Sequence, residues 1–187
     1  MCDLPVAWTR VDDARGTAVG ALVPERSGHR IEGGETAADG GGVYSCRFTV
    51  RTDLAWATRS VHVEVLSSTG VRTMDVTCRA GLWTVDGERR PLLDGCTDVD
   101  IAATPLTHTL PIRRLGLRRG EHRDISAVWI SVPDLRVSRV SQRYTRLEPT
   151  GDGRARYEYR AADHGYEISV DHEGLVIDHQ DLYERVP

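Results

Sequence analysis

Lysine is absent from this chain of 187 residues, so all 24 basic side chains are arginine. Without lysine the protein cannot form a Schiff base with a carbonyl substrate, and it cannot bind a nucleotide through a phosphate loop that depends on lysine. Arginine does suit carboxylate and phosphate recognition. We ascribe most of the arginine bias to a GC-rich coding background, and the absence of lysine excludes these two kinds of chemistry.

Four further features are missing from the sequence. No apolar run approaches the roughly 20 residues that cross a bilayer as a helix, and no basic and apolar signal segment opens the chain. The net charge is −4 and the pI is near 6.0, whereas a general nucleic-acid binder needs a basic face. The four cysteines, at positions 2, 46, 78 and 96, have no Cys-x-x-Cys spacing. We therefore expect a cytoplasmic protein with reduced, inert thiols and no nucleic-acid partner.

Catalytic and metal-binding signatures are also scarce. The seven histidines lack the His-Glu-x-x-His spacing of a zinc site, and no Gly-x-Ser-x-Gly marks a hydrolase nucleophile. Asp98-Val99-Asp100 has the Asp-x-Asp form used by metal-dependent glycosyltransferases, but those enzymes need strands that alternate with long helices, and such alternation is lacking here. We expect neither a metal ion nor another cofactor.

Short strands account for most of the chain. In residues 44–51, Tyr44, Phe48 and Val50 alternate with polar residues, which is the period of a half-buried strand. Similar runs occur at residues 61–65, 71–78, 81–85, 127–132, 135–140, 142–147, 155–160, 166–170 and 175–178. Asp86-Gly87 is a typical two-residue hairpin turn. These features predict one domain over residues 1–187, a mainly antiparallel β-barrel or strongly curved sheet that encloses a cavity.

Helix and loop are predicted in few places. Thr104 followed by Pro105 has the order of a helix cap and first helical residue, and Leu110-Pro111 should end that turn. Only short helical turns are expected. The glycine-rich stretch of residues 28–42 is predicted to be a mobile loop.

Residues 95–115 are the best candidate for a binding surface. In an extended segment Asp98 and Asp100 point to one face, away from Val99 and Ile101. If residues 111–117 are also extended, Arg113 lies among apolar neighbours and needs a partner, because an unpaired buried charge is costly. Two interpretations stay open: an ion pair of Arg113 with Asp98 or Asp100, or a site for an anionic or sugar headgroup at the mouth of an apolar cavity.

The same segment resembles the motif of a bacterial family described as putative glycolipid-binding proteins. That motif runs close to Gly-Cys-x-Asp-Val-Asp-Leu-x-x-Thr-Pro-x-Thr-Asn-Thr-Leu-Pro-Ile-Arg-Arg-Leu, and this chain matches it over residues 95–115, with His108 in place of the asparagine. The resemblance continues through Trp8, residues 53–59, Trp83, Pro133, residues 142–144 and residues 171–178. It implies a lipid or glycolipid ligand.

Our first hypothesis is therefore non-catalytic binding of a lipid or glycolipid in an apolar cavity. Tyrosine and tryptophan combine apolar surface with a polar group, which suits such a cavity, although they are equally typical of an ordinary core. Six aromatic residues and an amide are expected to line it: Trp56, Trp83, Trp129, Tyr144, Tyr157, Tyr159 and Gln142. Six polar residues are expected to bind the headgroup: Asp98, Asp100, Thr107, His108, Thr109 and Arg113.

Two alternatives come from other functional classes. One is an enzyme for a small hydrophobic or sugar substrate, with Asp98 or Asp100 as general base; it requires a raised carboxyl pKa in a cleft. The other is a filled barrel that acts as a protein-interaction module through an exposed apolar patch. The sequence favours binding over catalysis and does not indicate an oligomeric state.

Overall fold

The chain folds as one curled β-sheet of 15 strands in a computed structural model that describes residues 5–162 and 164–187. The strands are β1 (Val6–Arg10), β2 (Arg15–Glu25), β3 (Gly28–Asp39), β4 (Gly42–Asp53), β5 (Thr58–Ser67), β6 (Gly70–Arg79), β7 (Leu82–Val85), β8 (Glu88–Arg89), β9 (Asp98–Ile101), β10 (His122–Ile130), β11 (Val137–Arg146), β12 (Ala155–Ala161), β13 (His164–Val170), β14 (Val176–His179) and β15 (Tyr183–Arg185). The helical elements are two 3-10 helices, Pro91–Leu93 and Pro105–His108, and one α-helix, α1 (Thr109–Leu115).

Strands that follow one another in the chain are neighbours in the sheet, from β1 to β8 and from β9 to β15. The first strand, β1, also pairs with the last, β15, so the two runs form one sheet with β8 and β9 at its edges. Every described pair is antiparallel except β9 with β10. The predicted mainly β fold, with a strongly curved sheet and only short helical elements, is confirmed.

The parallel pair has a structural consequence for residues 102–121. Parallel neighbours cannot be joined by a hairpin, so the chain must cross over one face of the sheet between them. The 3-10 helix Pro105–His108 and helix α1 form this crossover. Thr104 caps the 3-10 helix as predicted, since its side chain accepts a hydrogen bond from the Leu106 amide at 3.1 Å.

Alternation places the apolar side chains of the strands inside the curl. In β4 the buried residues are Tyr44, Cys46, Phe48 and Val50, as the two-residue period predicted. The larger apolar core lies inside the curl of the sheet, and a smaller core lies between α1 and strands β11–β14. Cys46, Cys78 and Cys96 are buried free thiols, whereas Cys2 lies outside the described residues.

Two local predictions are wrong. Residues 28–42 are not a loop: most of them form the long strand β3, which is paired on both sides. Pro111 does not end the helical turn. It is the third residue of α1, where an amide has no intrahelical partner, so proline costs little there. The Asp86-Gly87 turn is confirmed, with φ of 50° and 81°.

Within the described ranges, none of the helices has the length and apolar character that crossing a membrane requires.

Candidate functional site

A cavity of about 320 Å³ lies between the crossover segment and strands β9–β15. Its wall combines buried polar side chains with aromatic and aliphatic ones. The lining residues are Asp100, Ile101, Ala102, Thr104, Pro105, His108, Trp129, Val140, Gln142, Tyr159, Ala161, His164, Tyr166, His179, Leu182 and Tyr183.

Strand register explains why these residues meet. Residues directly opposite each other on paired strands share a face of the sheet. Asp100 lies opposite Trp129 across β9 and β10, and Tyr159 lies opposite Tyr166 across β12 and β13. Gln142 of β11 lies opposite Ala161 of β12. Side chains from five strands are thus aligned on the face that the crossover segment covers.

The carboxyl group of Asp100 is the centre of a buried hydrogen-bond network. Thr107 Oγ1 donates to Asp100 Oδ1 at 3.1 Å, and Gln142 Nε2 donates to Asp100 Oδ2. The same Gln142 nitrogen donates to the Tyr159 hydroxyl at 3.0 Å, and that hydroxyl is 3.4 Å from Asp100 Oδ2. All of these donors are neutral, so the described residues hold Asp100 without a cationic partner.

Two histidines lie beside this network. His108 Nδ1 is 2.7 Å from the Tyr144 hydroxyl, and the His108 ring contacts that of Tyr159 edge to face, with centroids 4.7 Å apart. His179 Nδ1 is 3.3 Å from the carbonyl oxygen of Gln180. The two imidazole centroids are 5.0 Å apart. Both rings are buried and both line the cavity.

Burial determines the charge of these groups. It lowers the pKa of His108 to about 4 and that of His179 to about 3, so both imidazoles are neutral at pH 7. Burial also raises the pKa of Asp100, against the opposing effect of the Gln142 and Thr107 hydrogen bonds. The cavity therefore contains no buried cation among the described residues, and its buried carboxyl group binds a proton more readily than an exposed one does.

The low pKa of His108 should make stability depend on pH. The unfolded chain binds a proton at His108 near its ordinary pKa of 6.5, but the folded chain binds it only near 4. The free energy of unfolding therefore falls as the pH drops through this window. We expect the wild type to lose about 2 kcal/mol more than H108N between pH 7 and pH 5.

Denaturant titrations of both proteins at these two pH values check this expectation. His179, Asp100, Tyr144 and Tyr159 also face His108, but they are common to both proteins, so their contributions largely cancel in the difference. Equal losses in the two proteins would mean that folding leaves the pKa of His108 unchanged.

Comparison with known proteins identifies the family of this chain and a similar solved structure. A family model described as "Putative glycolipid-binding" matches residues 5–185. The chain belongs to this family. It is similar to a DUF1089 family protein from Pseudomonas aeruginosa, whose crystal structure has 35% sequence identity and a TM-score of 0.79, with coverage of 90% of this chain and 92% of that chain.

A second solved structure shares the fold alone. It is a beta-barrel-like protein of domain of unknown function DUF1849 from Brucella abortus, with 10% identity and a TM-score of 0.55, covering 97% of this chain and 94% of that chain. No curated protein matches the chain.

In this family member, five of the predicted ligand residues line the cavity: Asp100, His108, Trp129, Gln142 and Tyr159. Two more of the predicted residues contact the lining residues without lining the cavity themselves. Thr107 is hydrogen-bonded to Asp100, and Tyr144 is hydrogen-bonded to His108.

The other six predicted residues lie away from the cavity lining. Trp56 is stacked between His29, at a centroid distance of 3.7 Å, and Arg113, whose guanidinium carbon is 5.0 Å from its ring. Trp83 is in the large core, where its Nε1 donates to the Cys96 carbonyl at 3.1 Å. Tyr157 is in the small core beneath Arg146. Thr109 is fully buried, and its hydroxyl has no hydrogen-bond partner among the described residues.

The expected surroundings of Arg113 are wrong, because residues 109–115 are helical and the alternation of a strand does not apply. Arg113 is exposed. The partner of Asp98 is Arg114, whose Nε donates to Asp98 Oδ1 at 2.9 Å and whose Nη2 donates to Asp98 Oδ2. Asp98 is therefore a structural ion-pair residue.

Sequence reasoning missed much of the cavity wall. Tyr166 could have been found, since it shares a face with Ile168 and Val170 in a strand that the sequence predicts. His179 and Tyr183 could not have been found from the sequence. Their positions depend on the pairing of β13, β14 and β15, which the sequence does not reveal.

Proposed function

We propose that this protein binds a lipid or glycolipid without transforming it, with the polar headgroup at the inner end of the cavity. The division of the cavity wall carries the proposal. Asp100, His108 and Gln142 are buried, whereas the partly exposed lining residues are mainly apolar or aromatic. These residues, Ala102, Trp129, Val140, Ala161, Tyr166 and Leu182, form the rim together with the exposed His164. The family description supports this class of ligand.

The size of the cavity limits what it encloses. Its volume of about 320 Å³ is at the small end of the range typical of ligand pockets. A sugar-sized headgroup or a short piece of acyl chain fits, but a whole lipid with two chains does not. The buried hydrogen-bonding groups need polar partners, and the apolar rim suits methylene groups. The proposed orientation is therefore the reverse of a headgroup site at the mouth of an apolar cavity.

Filling the cavity should remove the ligand. Ala161 lies at the rim on the inner face of β12, and Arg160, its neighbour in the same strand, is exposed on the opposite face. We expect A161W to lose any lipid that copurifies with the wild type, because the indole occupies the space of the ligand. R160W should retain it. Native mass spectrometry, followed by organic extraction and lipid analysis, measures both and identifies the ligand.

Two results would contradict the proposal. One is a wild-type protein that carries no lipid and binds none from a panel of lipids and glycolipids. The other is a folded A161W protein that carries as much of the same lipid as R160W does, since the ligand would then be bound elsewhere.

A second candidate function is catalysis with Asp100 as general base. The raised pKa of this carboxyl group, in a cavity large enough for a small substrate, favours it. Asp98 is outside the cavity lining and paired with Arg114, so it does not share this role. Turnover of a bound glycolipid by the wild type, abolished in a D100N protein that still binds it, would establish catalysis in place of simple binding.

A further inference from the structure

We propose that His108 and His179 select the headgroup, as a hydrogen-bond donor and acceptor that together bind an uncharged hydroxyl group. The inference rests on the proposed function, because it names the class of group that the inner end of the cavity takes. It depends on which nitrogen of each imidazole carries the proton, and the neighbours of the two rings determine this.

Tyr144 determines the tautomer of His108. Its hydroxyl is buried, and His108 Nδ1, at 2.7 Å, is its only hydrogen-bond partner among the described residues. If Nδ1 carried the proton, the hydroxyl hydrogen of Tyr144 would be buried without an acceptor, which is costly. Tyr144 therefore donates to Nδ1. The proton of the neutral His108 ring is on Nε2, which is a donor.

The backbone determines the tautomer of His179. Its Nδ1 is 3.3 Å from the carbonyl oxygen of Gln180, and a carbonyl oxygen only accepts hydrogen bonds. Nδ1 therefore carries the proton, and Nε2 of the neutral His179 ring is an acceptor.

Both Nε2 atoms are available to a ligand. Neither has a hydrogen-bond partner among the described residues, both rings line the cavity, and their centroids are 5.0 Å apart. A hydroxyl group is at once a donor and an acceptor, so one hydroxyl, or two on the same sugar, satisfies both nitrogens. A carboxylate or a doubly ionised phosphate offers acceptors only and would oppose the lone pair of His179.

The rest of the inner wall has the same preference. The described lining contains no arginine, and Asp100 places a carboxyl group beside the two imidazoles. An anion that entered would meet this carboxyl group and neutral histidines, with no positive charge to offset its loss of hydration. The cavity therefore takes neutral hydroxylated headgroups, such as sugars, in preference to phosphate headgroups.

The test compares probes that share an octyl chain and differ in the headgroup: octyl glucoside, 1-octanol and octyl phosphate, each kept below micelle formation. Binding at pH 7 is monitored by the change in tryptophan fluorescence, because Trp129 lines the cavity. We expect octyl glucoside to bind at least about tenfold more tightly than octyl phosphate, from the one or two hydrogen bonds that distinguish them. H179L should lose that preference. H62L, the same change at a histidine on the exposed surface of β5, should keep it.

Nitrogen NMR of histidine-labelled wild-type protein provides a measurement that needs neither ligand nor variant. We expect His108 to be protonated at Nε2 and His179 at Nδ1. The opposite tautomer at either ring, or equal affinity for octyl glucoside and octyl phosphate, overturns this inference and leaves the proposed function standing. No binding of any probe, together with no copurifying lipid, overturns both.

Discussion

Replacement of Arg114 by alanine should destabilise the protein by about 3 kcal/mol, because it leaves the Asp98 carboxylate buried without its partner. Asp98 is 1% exposed, and both of its carboxylate oxygens accept hydrogen bonds from the Arg114 guanidinium. Burial raises the pKa of Asp98 even with Arg114 present, and loss of the guanidinium removes the main opposing effect, so partial protonation offsets some of the cost. Protonation limits the cost, and we therefore expect the low end of the range for broken buried pairs.

Denaturant unfolding at pH 7 measures this effect. R90A is the matched control, since Arg90 pairs with Glu88 and both side chains are largely exposed, so its loss should be negligible. Adding D98N to R114A should recover part of the stability because it removes the buried charge. A loss below about 1 kcal/mol in R114A would mean that the pair contributes no more than an exposed ion pair.

Part of the polar network in the cavity was predictable, because alternation along a strand is a local property. It placed Asp98 with Asp100, Gln142 with Tyr144, and Tyr157 with Tyr159 before any strand order was known. The structure brings Asp100, Gln142 and Tyr159 into one network. The opposite alternation of Val128 and Ile130 in β10 likewise leads to the large core.

The crossover between β9 and β10 was not predictable for two physical reasons. Helix α1 has only seven residues and contains Pro111, so it shows no helical period and has a residue that usually ends helices. The need for a crossover arises only from the parallel pairing of β9 with β10. Without it, Arg113 and Arg114 could not be assigned to the correct faces.

The prediction of a loop at residues 28–42 was wrong because glycine occurs in two opposite structural settings. A glycine-rich stretch is typical of a mobile loop, but glycine is also needed where two backbones come closer than a side chain permits. In β3, Gly33 lies opposite Gly20 of β2 on one side and Phe48 of β4 on the other. Composition does not distinguish a loop glycine from a glycine in a closely packed strand, since the close contact is formed only when distant strands pair.

Substitution of Gly33 by alanine tests whether this glycine is needed for close packing of the strands. A Cβ atom at Gly33 would lie 2.3 Å from the Val19 carbonyl oxygen and 2.9 Å from the Gly20 Cα, both of them backbone atoms. Neither can move unless β2 separates from β3, so we expect a loss of about 3 kcal/mol or more in the free energy of unfolding. Gly40, in the turn between β3 and β4, is the control, because a Cβ there meets nothing within 4 Å. If G33A were as stable as G40A in denaturant titrations, the backbones of β2 and β3 would not be in close contact at Gly33. With the predicted loss, glycine at this position is a requirement of strand packing.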